Sequence, residues 1–247
     1  MIPQNYLSKS RLDLIHKSPY LYWWKYLSGQ YVQPEPTAAL TMGKALHCRV
    51  LEPEHYGQRY AILPPNIDRR IKEGKELYNY FINSLRGHEI LTKEQDAQIE
   101  NMHRALMAHS YAGHLLLSEG EREKELLWES DGVNYKGIAD LITNSGFIVD
   151  LKTTDDASPS AFAYSVKKYR YHVQAAMYCD AFPECQAFIF IAIEKTPPYM
   201  VGVYYINEMD IQRGREEYLQ DVELWKACNE ANNWPQFSGE IMELKLK

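Results

Sequence analysis

The sequence predicts a mixed α/β fold, in which helices flank a central mixed β-sheet and a helical region precedes it. Apolar residues recur at helical spacing through about the first 120 residues, and the period changes to two from residue 122. A strongly apolar strand and a long amphipathic helix, about 208–231, close the chain. Helices, a meander of strands, then further helices and strands are typical of a mixed α/β protein.

The composition is that of an ordinary globular protein. With 247 residues, 45% hydrophobic and 24% charged, we expect one domain over 1–247. Its parts are a helical region (about 1–120), a sheet core (about 121–206) and the C-terminal helix. No apolar stretch approaches the roughly 18 residues of a membrane span, and MIPQNYLSKS does not resemble a signal peptide. We therefore expect a cytoplasmic protein with no membrane partner.

Charge and cysteine usage exclude several classes. The net charge of −6 argues against a generally basic nucleic-acid-binding surface, although positive charge is concentrated at 69–75 and 167–172. Solvated helix faces account for most clusters of this size. The four cysteines are scattered without a CxxC pair, so neither a zinc site nor a disulfide framework is predicted.

Four helices are predicted before the sheet. SRLDLIHKSPYLYWWKYL has an apolar face at helical spacing, with Ser10 as the N-cap and a break at Ser18-Pro19, and TAALTMGKALHCRVLEP gives a helix that stops before Pro53. Segment 68–86 carries one apolar stripe and ends at Gly87. LTKEQDAQIENMHRALMAH begins with Thr and Gln at capping-box spacing, which predicts the fourth helix.

The middle of the chain predicts a three-stranded meander. REKELLWES meets VNYKGIADLIT across Asp131-Gly132, a strong two-residue hairpin signal. The second strand meets FIVDLKTT across Asn144-Ser145-Gly146.

Two helices and two strands are predicted next. SPSAFAYSVKKY and HVQAAMYCDAF are helical, with Ser158 as a cap and Pro159 in the first turn. QAFIFIAIEK predicts a strand covered on both faces, which pairs with YMVGVYYIN.

The register of the second hairpin brings two acids together. If residues 144–146 form a three-residue loop, Asp140 lies opposite Asp150, with Cβ atoms roughly 5 Å apart. Two carboxylates so placed repel each other unless a cation lies between them, and oxygen ligands suit Mg²⁺ or Mn²⁺. Lys152 shares this face. A two-residue loop would break up the apolar face of both strands, so we favour the three-residue loop.

The first hairpin adds two glutamates to the same face. The two-residue turn pairs Glu125 with Ile138 and Glu123 with Asp140. A face with up to four acids and one lysine requires a cation or a substrate. We expect Glu123 to be solvated or supporting rather than catalytic.

The order of these residues resembles a known enzyme superfamily. GIAD, with Asp140, followed by DLK, with Asp150 and Lys152, resembles the PD-(D/E)xK nucleases. The resemblance implies a restriction-endonuclease-like core in which the two acids bind one or two metal ions and the lysine orients or polarises the attacking water. Glu73-Gly74-Lys75 and Glu243-Leu244-Lys245 lack the partner acid and the hairpin.

Further segments, over about residues 6–205, resemble the subset that contains the RecB and RecE (exonuclease VIII) nuclease domains and lambda exonuclease, with RecE nearest. QAAMY resembles its QxxxY motif, which implies that Gln174 and Tyr178 contact the substrate. GKALHCRVLEP implies that His47 reaches the metal. ELLWESDGVNYKGIADLI resembles the strand bearing a glutamate, for which Glu125 is the expected equivalent.

The resemblance implies a site and a function. His47, Asp140 and Asp150 would hold Mg²⁺ (or Mn²⁺) with the Leu151 carbonyl as an extra ligand, while Lys152 and Glu125 position the water. The basic side chains at 167–172 would grip DNA, namely Lys167, Lys168 and Arg170, beside Tyr169 and Tyr171.

The implied activity is 5′ to 3′ exonuclease action on the ends of linear double-stranded DNA in phage-type recombination, in a bacterial or phage-infected cell. The implied partners are a single-strand annealing protein of the RecT type and further copies of the chain in a ring-shaped trimer or tetramer. Two alternatives stay open: a sequence- or structure-specific DNA endonuclease with the same core, and a non-catalytic DNA-binding scaffold.

Overall fold

The computed structural model describes residues 6–64, 67, 70–237, 241 and 243. The elements before the central sheet are β1 (Tyr6–Leu7), α1 (Lys9–Lys17), α2 (Pro19–Tyr26), α3 (Ala38–Leu51), α4 (Pro53–Arg59), β2 (Tyr60–Ile62), α5 (Lys72–Ser84), β3 (Glu89–Leu91), α6 (Lys93–Ala108) and α7 (Ser110–Leu117). They are followed by β4 (Gly120–Ser130), β5 (Val133–Thr143), β6 (Phe147–Thr154), α8 (Pro159–Lys168), α9 (Tyr171–Ala181), β7 (Ala187–Glu194), β8 (Val201–Tyr205) and α10 (Glu208–Ala231).

The central sheet is mixed, and one edge of β5 is left partly without a paired strand. β4 pairs antiparallel along β5, and β5, β6, β7 and β8 follow in that order, with the β6–β7 pair parallel. The opposite edge of β5 pairs with β1 at Asn134 and Tyr135 and with β6 at Leu141 and Ile142. Among the described residues, the stretch 136–140 between them forms no ladder on that edge. Side chains can therefore reach the backbone of β5 there.

Helices cover both faces of the sheet. One core packs residues of α1, α9 and α10, such as Leu12, Met177 and Val222, against strand residues such as Tyr135 and Phe188. The other packs α3, α6 and α7 against the opposite face, with members such as Leu46, Met102, Leu116, Leu141 and Ile191. The opening in β5 thus lies between helices of two layers. The predicted mixed α/β fold with flanking helices is confirmed.

Most of the predicted elements are present. The helix break at Ser18-Pro19 and the capping box of Thr92 and Gln95 are confirmed, as is the pairing of β7 with β8. The predicted cap Ser10 was wrong: Ser8 is the N-cap residue and Ser10 lies inside α1. The predicted helix 68–86 spans Lys72–Ser84, and residues 68 and 69 lie outside the described residues.

Several short elements were not predicted, namely β1, β2, β3, α4 and α7. In the described part of the chain, every helix is too short or too polar to cross a lipid bilayer.

Candidate active site

The hairpin of β5 and β6 has the register expected of a three-residue loop. Leu141 pairs with Val149 and Ile142 with Ile148, so residues 140 and 150 occupy opposed positions where the strands separate. Gly146, the last loop residue, has φ +82, a backbone conformation that L side chains rarely adopt. Asp140 Oδ2 accepts the Leu151 N–H at 2.7 Å. A carboxylate thus replaces a backbone acceptor at the point where the ladder ends.

Three side chains form a potential metal site beside this point. His47 of α3, Glu123 of β4 and Asp140 of β5 each offer one ligand atom, and these atoms all lie within 4.8 Å of one another. His47 Nδ1 is 3.5 Å from Asp140 Oδ2. The three line a cleft of about 580 Å³ with Gly43 and Thr153 among its other walls. We call it the metal cleft.

Glu123 has an unusual backbone conformation. Arg122 pairs with Leu141 and Lys124 with Ala139, so β4 keeps its register past Glu123 without an inserted residue. Glu123 itself has φ +48, which is uncommon for a side chain of this size and costs on the order of 1 kcal/mol or more. Its side chain lines the metal cleft.

The structure places the two glutamates of β4 in different surroundings, and the catalytic role of Glu125 stays a prediction. The sequence assigned the catalytic role to Glu125 and a supporting role to Glu123, yet it is Glu123 that joins His47 and Asp140. Glu125 is half-exposed and forms an ion pair with Lys136. The signal that could have identified Glu123 was its position opposite Asp140 in the hairpin register.

The charges of this group favour a bound cation. Burial raises the pKa of Glu123, and the neighbouring Asp140 carboxylate raises it further. For Asp140, burial alone would raise the pKa, but His47, Lys152 and the Leu151 N–H lower it overall. Burial lowers the pKa of His47, but attraction to Asp140 outweighs it and leaves that pKa raised. Two carboxylates with one imidazole are a donor set that can bind a divalent metal ion.

Asp150 and Lys152 form a buried pair next to the metal cleft. Asp150 is 1% exposed, its Oδ2 lies 2.6 Å from Lys152 Nζ, and its Oδ1 accepts a bond from Gln174 Nε2 at 2.7 Å. Burial raises the pKa of Asp150. Burial would lower the pKa of Lys152, but Asp150 and Asp140 raise it, so the amine stays protonated at neutral pH.

Asp150 and Leu151 were expected among the metal ligands. Asp150 adjoins the three-residue group without belonging to it, because both its oxygens contact Lys152 or Gln174. Leu151 donates its N–H to Asp140, and its side chain is fully buried in the core. Metal binding by the Leu151 carbonyl and by Asp150 stays a prediction.

The QxxxY pair positions β5 and β6 from α9. Gln174 holds Asp150, as described above, and the Tyr178 hydroxyl accepts the Ile138 N–H at 3.3 Å, within the open stretch of β5. Burial, with a smaller effect from Asp150, raises the pKa of Tyr178 to about 12. Both side chains also border a cavity of about 320 Å³ at the start of α1, so their predicted contact with substrate stays a prediction.

The basic segment 167–172 divides into two parts. Arg170 was expected to bind substrate. Its side chain is 11% exposed and forms ion pairs with Asp13, Glu217 and Asp221 at 2.6–3.2 Å, so it joins α1 and α10 at the start of α9. Contact of Arg170 with substrate stays a prediction. Lys168 lies on the surface between two tyrosine rings. Lys167 lines a separate cavity with Phe162, Phe190 and Tyr204.

Fold and site together define the PD-(D/E)xK class: an acid on each of two paired strands, a lysine two residues after the second, and a mixed sheet between helical layers. The chain belongs to the family described as a PDDEXK-like domain of unknown function (DUF3799), whose model matches residues 8–247. None of the curated proteins matches the sequence.

Solved structures include similar folds. A candidate exonuclease from Eubacterium rectale superposes with a TM-score of 0.68 at 14% identity, over 99% of this chain and 91% of that one. A phage-related exonuclease from Haemophilus somnus 129PT gives a TM-score of 0.39 at 12% identity, over 90% and 96% of the two chains. At 14% identity, the likeness to the first structure concerns the fold alone. With a TM-score of 0.39, the second structure supports no argument about this chain.

Proposed function

We propose that the protein is a metal-dependent DNA exonuclease that hydrolyses phosphodiester bonds from the ends of linear duplex DNA. The observation that carries this proposal is the meeting of His47, Glu123 and Asp140 within 4.8 Å, beside the buried pair of Asp150 and Lys152. The group places three acids, Glu123, Asp140 and Asp150, beside one protonated lysine, and burying carboxylates that lack a compensating charge is costly.

His47, Glu123 and Asp140 would hold the metal, with Asp150 adjacent. A bound Mg²⁺ or Mn²⁺ would lower the pKa of a water molecule and neutralise charge on the scissile phosphate. Each protein group then has a definite task. The Leu151 N–H fixes Asp140 by donating to Oδ2, the oxygen that also lies 3.5 Å from His47 Nδ1.

Lys152 would act as a hydrogen-bond donor rather than as a base. Its pKa is raised by Asp150 and Asp140, so the ammonium can donate to the attacking water or to a phosphate oxygen. Asp150 and Gln174 hold the lysine in place through a chain of contacts that begins on α9. Loss of the Gln174 amide would therefore leave Asp150, and with it the amine, less firmly positioned.

The finer features of the proposal come from the resemblance to RecE and lambda exonuclease. They are 5′ to 3′ polarity, a ring-shaped homo-oligomer, and cooperation with a single-strand annealing protein in recombination. The family and fold are compatible with them.

Digestion of matched linear and circular duplexes tests the proposal. With Mg²⁺ or Mn²⁺, the protein should degrade the linear form and leave the circle intact, and chelator or Asp140→Asn should abolish cleavage. Strands labelled at one end or the other report polarity. Cutting of circles would favour the endonuclease alternative, and absence of metal-dependent cutting with either ion would favour the scaffold.

A further inference from the structure

We propose that Tyr164, Lys168 and Tyr169, at the corner between α8 and α9, form a stacking platform for unpaired bases of a nucleic-acid strand. The inference rests on the proposed nuclease function and names the part of the substrate held next to the metal cleft. We call these three residues the platform.

The platform presents aromatic faces and an available positive charge. Tyr164 and Tyr169 are 65% and 49% exposed. Lys168 Nζ lies 5.9 Å from the ring centre of Tyr164 and 5.3 Å from that of Tyr169. Within the described ranges, Lys168 forms no ion pair with a carboxylate, so its charge is free to meet a phosphate.

A row of aromatic and cation–π contacts runs from the platform to Lys152, the proposed catalytic lysine. The Tyr169 ring lies 5.6 Å from that of Tyr171, and Lys152 Nζ lies 4.8 Å from the Tyr171 ring. The platform borders a cavity of about 390 Å³ that is also lined by Thr153. Thr153 lines the metal cleft as well, so the two spaces share this wall residue. In this proposal, a strand that leaves the metal cleft passes Thr153 toward the tyrosines.

The chemistry of the platform selects unpaired bases. A base inside a duplex is already stacked on both sides, whereas an unpaired base has a free face for an aromatic ring. Lys168 and Lys195 flank the cavity, and Lys195 also pairs with Asp155 at 2.6 Å, which reduces the negative charge there. Asp156 accepts the Ser158 N–H. Stacking with backbone contacts reads no sequence, so binding should be sequence-independent.

Binding measured without metal tests the platform separately from cleavage. Fluorescence anisotropy of labelled oligothymidine and of a blunt duplex of equal length would be recorded in chelator. The double variant Tyr164→Ala with Tyr169→Ala should bind the single strand about 5- to 100-fold more weakly and the duplex almost unchanged. The control Tyr111→Ala, a 73% exposed tyrosine on α7, should leave both affinities unchanged. Phenylalanine at 164 and 169 should retain binding.

Three results would overturn the platform. In the first, the double variant binds the single strand as tightly as Tyr111→Ala does. In the second, the double variant loses affinity equally for the single strand and the duplex. In the third, the wild type does not bind the single strand. If circular dichroism shows that the double variant is unfolded, Tyr164→Ala alone decides, because that side chain is mostly exposed. Platform-dependent binding without metal-dependent cleavage would refute the nuclease proposal alone. Cleavage with unchanged single-strand binding in the variant would refute the platform alone.

Discussion

Gly137 is the residue whose substitution tests how α9 is fixed to β5. A Cβ atom built on Gly137 would lie 2.5 Å from Tyr178 Cε1 and 3.0 Å from Cζ. The ring is buried, and its hydroxyl accepts the N–H of Ile138, the next residue of β5. Gly137→Ala must therefore displace either β5 or the Tyr178 ring.

The expected cost follows from these contacts. Overpacking of a well-packed site costs typically about 1–3 kcal/mol. If the ring moves, the Ile138 N–H loses its partner, which adds about 1 kcal/mol. We expect Gly137→Ala to lower the free energy of unfolding by about 2–4 kcal/mol and Tm by roughly 5–15 °C.

Urea and thermal denaturation measure this loss. Gly57→Ala is the matched control: among the described residues, and apart from the adjacent backbone of α4, no atom lies within 4 Å of its Cβ position, and alanine within α4 should stabilise by up to about 1 kcal/mol. Tyr178→Leu removes the ring, so the double variant should be more stable than the sum of the single losses predicts, with a coupling of at least about 1 kcal/mol. Wild-type stability of Gly137→Ala would refute the reasoning.

Three further predictions concern charged groups. Glu123→Gln removes repulsion toward Asp140, so the free energy of unfolding without metal should stay within about 0.5 kcal/mol of the wild-type value. The same variant should bind Mn²⁺ more weakly in calorimetric titration, and an unchanged affinity would contradict a role of Glu123 in metal binding. Arg170→Met leaves the buried Asp221 carboxylate without its guanidinium partner and should cost about 3–5 kcal/mol in urea denaturation, and a loss below about 1 would contradict a stabilising role for this ion pair. Burial would raise the pKa of Glu217, but His172 and Arg170 lower it below its ordinary value of 4.5. The ionised carboxylate of Glu217 therefore stabilises the fold above pH 4.5, and this stabilisation is lost as the pH falls through the lowered pKa. Between pH 4.5 and that lowered pKa, Glu217→Gln should lose less stability than the wild type in urea denaturation at stepped pH. Parallel stability curves for the two proteins would contradict the lowered pKa of Glu217.

The hairpins were predictable because their loops are short. Asp131-Gly132 and Asn144-Ser145-Gly146 fix the registers of β5 with its two neighbours, and register decides which side chains share a face. Opposition of Asp140 and Asp150 followed from counting residues. The environment of each acid did not follow. The Asp140 carboxylate lies at the metal cleft, whereas the Asp150 carboxylate is held by Lys152 of β6 and Gln174 of α9.

Burial and backbone strain were not predictable from local sequence. Arg170, Lys167 and Lys168 form one basic run, yet a cluster of acids from α1 and α10 buries the arginine while Lys168 stays on the surface. The left-handed conformation of Glu123 likewise has no signal in REKELLWES, since its neighbours keep ordinary strand pairing.

The sequence by itself determined the order of elements, the two hairpin registers and the presence of an acid pair with a lysine, because these depend on neighbours within a few residues. Only the tertiary structure decided that Glu123 rather than Glu125 joins His47 and Asp140, and that Tyr178 supports β5. The physical reason is that these outcomes depend on desolvation and packing between helices and strands far apart in the chain, which no local pattern records.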